Sequence, residues 1–234
     1  MGVGPARNHL APCDHLAKGM NWTIPNLLSV IRVLAAPCVA ISFAVFDRPE
    51  ADRIAILIFV GAAATDYLDG LLARVLHQES AFGRMLDPIA DKAMVTIALA
   101  LIVALYEMSW PVMVPAVLIM LREVLISGLR EFLGDVKLQV TPMAKWKTTL
   151  QMLAICLLLL KGAVSPGEDA AAGNPIIGNL LSYVEIGAGG AGLLLLWVAM
   201  WFTIVTGWDY FRKGLPYIGE KEVAAAKLAA RPED

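Results

Sequence analysis

The chain has 234 residues, 58% of them hydrophobic and only 17% charged, against roughly 25% charged in soluble domains. A mean hydropathy of +0.66 excludes an ordinary water-soluble domain, and the expectation is one all-α integral membrane domain of about six transmembrane helices. The net charge of −2 says little by itself; its distribution matters more, and no nucleic-acid partner is expected.

In chain order, residues 1–22 are mixed polar, with prolines and histidines and no cleavable apolar core of a signal peptide. They are read as a cytoplasmic segment that can lie flat at the interface. A membrane domain follows over 23–212, and 213–234 form a charged cytoplasmic tail. Spans need about 20 mostly apolar residues, and candidates lie at 27–46, 54–76, 88–106, 111–133, 146–162 and 180–206. The polar stretch SPGEDAAAGNP between the last two reads as a solvent-side loop. Cys13, Cys38 and Cys156 lack metal-like spacing, and the two in apolar runs read as small buried hydrophobes.

Lysines and arginines set the orientation. One side holds Arg7, Lys18, Arg74, Arg84, Lys92, Arg130, Lys137, Lys145, Lys147 and the tail cations. The other holds only Arg48, Arg53 and Lys161. Both termini are therefore expected in the cytoplasm. Trp208, Tyr210 and Tyr217 beside Arg212 and Lys213 fit an interfacial anchor.

The second span begins IAILIFVGAAA and continues TDYLDGLLARVLHQ, while the third opens with acids and turns apolar only after Lys92. Asp66, Asp69, Asp87 and Asp91 thus sit at the cytoplasmic ends of two antiparallel helices. A carboxylate costs about 2.5–3.5 kcal/mol at a bilayer centre on insertion scales, so four together need a cause. Asp66, Asp69, Gly70, Ala73 and Arg74 are three and four residues apart and share one helical face; Gly83, Asp87 and Asp91 repeat at four. Oxygen-only ligands suit Mg²⁺ or Mn²⁺, and four carboxylates match two ions about 3.5–4 Å apart, an arrangement suited to displacement at phosphorus. Gly70 and Ala73 leave a groove for a nucleotide or pyrophosphate, and Arg74 offers donors to a phosphate.

The run DYLDGLLAR (Asp66–Arg74) followed by GRMLDPIAD (Gly83–Asp91) resembles the signature of the CDP-alcohol phosphotransferases. TIPNLLSVIRVLAAP, LREVLISGLREF and AKWKTTLQM are similar to segments of bacterial members that use CDP-diacylglycerol and glycerol 3-phosphate. The resemblance implies a six-helix membrane enzyme, usually a homodimer, that moves a phosphatidyl group and releases CMP. It implies that Asp66, Asp69, Asp87 and Asp91 hold two metal ions, with Asp91 also the catalytic base. It implies that Asn26, Ser29, Gly70, Arg74, Ser80 and Gly83 surround the CDP-diacylglycerol. Many relatives carry Thr where Ser29 stands, which keeps the hydroxyl.

Arg122, Arg130, Lys145 and Lys147 gather at the cytoplasmic ends of the fourth and fifth spans. Topogenic charge explains the lysines about as well as ligand binding. Arg122 lies within an apolar run beside Glu123, and its partner is either that acid or an anionic ligand. An acceptor bearing its own phosphate would need such cations. No Ser–His or Cys–His pair suggests a covalent nucleophile, so direct displacement is expected. The rivals are the same donor with another acceptor (serine, inositol phosphate or phosphatidylglycerol), a cation or proton transporter, and a lipid-binding scaffold. A transporter needs acids along a path and inverted repeats, whereas these acids cluster at one end. The intact quartet opposes a degenerate scaffold.

Overall fold

The computed structural model describes residues 24–76, 81–133, 143–165 and 175–229. Among the described residues six helices run α1 (Ile24–Val45), α2 (Glu50–Leu76), α3 (Ala81–Leu105), α4 (Trp110–Leu133), α5 (Met143–Val164) and α6 (Pro175–Ala229). The expected interfacial segment 1–22, Ser80 and most of the SPGEDAAAGNP loop lie outside the described residues, as do the side chains of Asn26, Asp69, Gly70, Arg74 and Lys145.

Among the described residues five helices are long and apolar enough to cross a membrane, and this is a multi-pass membrane protein. Helix α2 opens with an apolar run and carries acids from Asp66 onward. At 27 residues it is about 40 Å long, sufficient to span. The last helix exceeds expectation. Its 55 residues run without a break through the expected tail to Ala229, about 80 Å against a hydrocarbon core of about 30 Å.

Packing follows from small residues. All six helices send side chains into one core, including Ala36, Phe59, Ala98, Leu99, Ile119, Ile155, Leu158 and Leu196. Alanines at these seams let backbones approach, which is how helices associate where lipid is as apolar as leucine. Leu57, Val124, Leu194 and Trp201 point outward and are largely exposed. Such an apolar surface would be a liability in water and is ordinary against acyl chains. Cys38 belongs to that outer surface and Cys156 is half-buried, so neither is the fully buried hydrophobe expected.

Among the described residues α1 packs on both α2 and α3, α5 packs on α2, α3 and α6, and α4 packs on α3 and α6. The α3–α4 turn closes α3 with Glu107 N–H donating to the Ala104 carbonyl and Met108 N–H to that of Val103. That pairing satisfies two end carbonyls and places Glu107 at φ 52°, in the left-handed region. Trp197 Nε1 of α6 donates to the Pro111 carbonyl of α4 at 2.9 Å, and its ring meets Trp110 edge-on.

At the end of the bundle away from Asp66 and Asp91, α2 is pinned to α5. Asp52 is fully buried and accepts two hydrogen bonds from Arg48, at 2.7 and 3.1 Å. Arg53 Nε caps the Ala163 carbonyl at the C-terminus of α5 at 3.1 Å. Gly162 makes room for the ion pair: a Cβ there would lie 2.2 Å from both Arg48 Nη2 and Asp52 Oδ1. Gly162→Ala should therefore displace the pair and cost about 1–3 kcal/mol by overpacking, read as a lower midpoint of thermal unfolding in detergent. An unchanged midpoint would mean that the pair is not held against α5.

Candidate active site

The acids are tied to the first helix. Ser29 Oγ of α1 donates to Asp87 Oδ1 of α3 at 2.5 Å, and Ser29 is buried. One turn along α1, Arg32 forms an ion pair with Asp66 of α2. The Arg32 side chain is 3% exposed and that of Asp66 57%. Among the described residues α1 joins the two acid-bearing helices. Arg32 itself escaped the sequence reading. Its signal was available, since an arginine inside an apolar span, three residues after Ser29, shares that residue's face.

Asp66, Asp87 and Asp91 are all exposed, and Gly83 is buried at the start of α3. Pro88, between Asp87 and Asp91, removes one N–H from the helix ladder there. Among the described residues no three carboxylates converge on one point. The donor set of Asp66, Asp87 and Asp91 is oxygen-only and reachable from outside, which suits a hard divalent cation rather than zinc. The Asp69, Gly70 and Arg74 positions are helical, in the second half of α2.

Asp91, unlike Asp66 and Asp87, lines a cavity of about 160 Å³ with Lys92, Arg122, Glu123, Arg130 and Lys147. The structure thus brings together three of the four expected acceptor-site cations. Arg122 Nη1 donates to Glu123 Oε1 at 3.0 Å, and Lys147 of α5 pairs with the same oxygen. Lys147 is buried. A buried cation is tolerable only when paired and hydrogen-bonded, and Glu123 supplies that partner. Arg122 Nη2 lies 3.4 Å from Thr206 Oγ1 of α6. Gly207 gives the Arg122 stem passage, since a Cβ there would meet its Cγ at 3.0 Å.

Helix α6 supplies the wall that sequence reading missed. Thr206, Asp209 and Tyr210 line the cavity, and Gln151 of α5 completes it. Tyr210, read as part of an interfacial anchor, is half-buried beneath Arg130, whose guanidinium lies 5.8 Å from the ring centroid. Trp208 remains on the outer surface. Asp209 also accepts from Lys213 at 2.7 Å. On the opposite wall Lys92 bonds Ser127, so α3 and α4 are stitched together beside Asp91.

The cavity therefore presents four cations and three carboxylates, a cationic excess beside an accessible acid. It can hold a phosphate-bearing ligand while a carboxylate receives a proton. Glu123→Ala should leave Lys147 and Arg122 without their shared acid and cost about 3 kcal/mol. Lys147→Met in the same background should recover part of the thermal stability. Strict additivity of the two changes would show that they do not interact.

A family model described as CDP-alcohol phosphatidyltransferase matches residues 22–208. The chain is 48% identical over 225 residues to a CDP-diacylglycerol–glycerol-3-phosphate 3-phosphatidyltransferase of Cereibacter sphaeroides, covering 87% of this chain and 100% of that relative. A protein of the same description from Rickettsia bellii is 38% identical over 191 residues, 81% of this chain and 93% of its own length. Another from Rickettsia felis is 36% identical over 191 residues, with the same coverage.

Proposed function

The chain belongs to the CDP-alcohol phosphatidyltransferase family, and we infer that it transfers the phosphatidyl group of CDP-diacylglycerol to sn-glycerol 3-phosphate, yielding phosphatidylglycerophosphate and CMP. The acceptor comes from the descriptions of the relatives. The observation that supports it in this chain is the shared cavity: Asp91 faces the same space as Arg122, Arg130 and Lys147. The cavity holds one more cation than carboxylates, an excess for which a neutral acceptor such as serine brings no counter-charge. Glycerol 3-phosphate brings its own.

In the reading proposed, Arg122, Arg130, Lys147 and neighbouring Lys145 hold the acceptor phosphate. Asp91 takes the proton from the free primary hydroxyl. The hydroxyl oxygen forms a bond to the lipid-side phosphorus as the bond from that phosphorus to CMP breaks. No covalent enzyme intermediate is needed, so configuration at phosphorus inverts. Asp66, Asp69, Asp87 and Asp91 would hold two Mg²⁺ or Mn²⁺ ions, which when bound stabilise the charge on the diphosphate oxygens. Arg32 and Ser29 hold Asp66 and Asp87 in place. Asn26, Gly70, Arg74, Ser80 and Gly83 line the path of the cytidine diphosphate. The enzyme works as a homodimer in the cytoplasmic membrane, with the site on the cytoplasmic side, where most of the lysines and arginines fall.

Supplying CDP-diacylglycerol with labelled glycerol 3-phosphate, serine, inositol phosphate and phosphatidylglycerol in parallel tests the acceptor. Only glycerol 3-phosphate should be incorporated with release of CMP; another preferred acceptor, or ion flux in liposomes without transfer, would overturn the reading. Asp87→Asn and chelation by EDTA should each abolish transfer while the protein stays folded in detergent. Arg122→Ala should raise the acceptor KM or lower turnover by about tenfold or more, as expected for a lost hydrogen-bonded charge. Unchanged kinetics would remove Arg122 from the site.

A further inference from the structure

The end of the bundle opposite the acids holds a second polar cavity. Its distribution of charge is unusual for a membrane protein's cation-poor side: Arg48, Arg53 and Lys161 all gather there. They meet where the α1–α2 turn, the C-terminus of α5 and the α3–α4 turn approach α6. Arg48, Lys161, Tyr106, Ser165 and Glu185 line a cavity of about 320 Å³, far larger than the roughly 30 Å³ share of a single water. A second groove shares Tyr106, Lys161 and Glu185 and runs on past Val112, Ile186 and Leu193. One polar chamber thus opens onto an apolar channel.

The charges facing this space are satisfied unequally. Arg48 commits two of its five N–H donors to Asp52. Lys161 Nζ lies 5.0 Å from the centroid of the Tyr106 ring. Gly189 of α6 admits its stem, since a Cβ there would meet Lys161 Cδ at 2.9 Å. Tyr106 donates its hydroxyl to the Leu158 carbonyl at 3.1 Å. Neither Lys161 nor Glu185 forms an ion pair with a described residue, although both line the same cavity. A cation and a carboxylate that face one chamber without closing on each other suit a ligand carrying both charges.

We propose that this cavity binds the head group of a zwitterionic phospholipid with a primary ammonium, phosphatidylethanolamine in chemical class. Its phosphate meets Lys161 and the free edge of Arg48, its ammonium meets Glu185, and an acyl chain follows Val112, Ile186 and Leu193. Phosphatidylglycerol would leave Glu185 beside a phosphate with no cation between them. Phosphatidylcholine carries the charge but no N–H to donate.

Native mass spectrometry of the full-length protein in detergent, titrated with dioleoyl forms of the three lipids, tests this. Phosphatidylethanolamine should bind about tenfold more tightly than the other two, the size of one charge-assisted hydrogen bond. Glu185→Gln should abolish that preference, and Lys161→Gln should weaken all three lipids. Equal binding, a preference for phosphatidylglycerol, or a preference that survives Glu185→Gln would overturn the proposal. A series on the unaltered protein avoids any folding defect of the variants. Stepwise N-methylation of the head group should lower affinity at each step, and a flat series would overturn the assignment equally. Transfer activity should be retained in Glu185→Gln, which lies at the far end from Asp91.

Discussion

Charge in a medium without water is the constraint on which this molecule turns. A buried ion must find a partner or neutralise itself, and the bundle answers by pairing across helices. Glu123 holds Lys147 and Arg122, Arg32 meets Asp66, and Asp52 takes Arg48. Each pair joins side chains from different helices, or sits where a third helix must open to admit it, so ionic pairing and helix packing are one problem. Gly162 and Gly207 show the same thing from the apolar side: helices thin where a charged stem has to pass.

This pairing makes α1 more than the first crossing. Through Ser29 and Arg32 it reaches α3 and α2, and so determines where Asp87 and Asp66 stand. The helix at the other end of the chain plays the matching part for the basic cavity. Thr206, Asp209 and Tyr210 of α6 close the wall against which Arg122 and Arg130 are arranged. Asp66 and Asp87 on one side and the basic cavity on the other are thus organised by the first and last helices, with Asp91 on the cavity wall.

Much of this was legible from particular residues. The acids stood out because carboxylates are rare in apolar runs, and their three- and four-residue spacing assigned them to helical faces. Arg122 stood out for the same reason, and its adjacent Glu123 proved to be a real partner. Lys147 was ambiguous between topogenic and ligand-binding charge, because both readings predict a lysine at a cytoplasmic helix end. The structure buries it against Glu123, 24 residues away, on the wall of the cavity. Tyr210, an aromatic beside cations near a span's end, matches an interfacial anchor; its place under Arg130 on the cavity wall depends on how α6 packs on α4.

The sequence by itself determined the membrane class, the helical crossings, the cation bias and the acidic faces, because hydropathy and helical periodicity are local properties of the chain. It also carried the family, because that signature is contiguous. What only the tertiary structure decided is which helix stands beside which: that α1 ties Asp66 and Asp87, that α6 walls the basic cavity, and that Lys161 and Glu185 share a chamber with no ion pair to a described residue. Those are contacts between residues tens to more than a hundred positions apart. They are selected by the packing of small side chains and the pairing of buried charges, neither of which leaves a periodic trace in one chain.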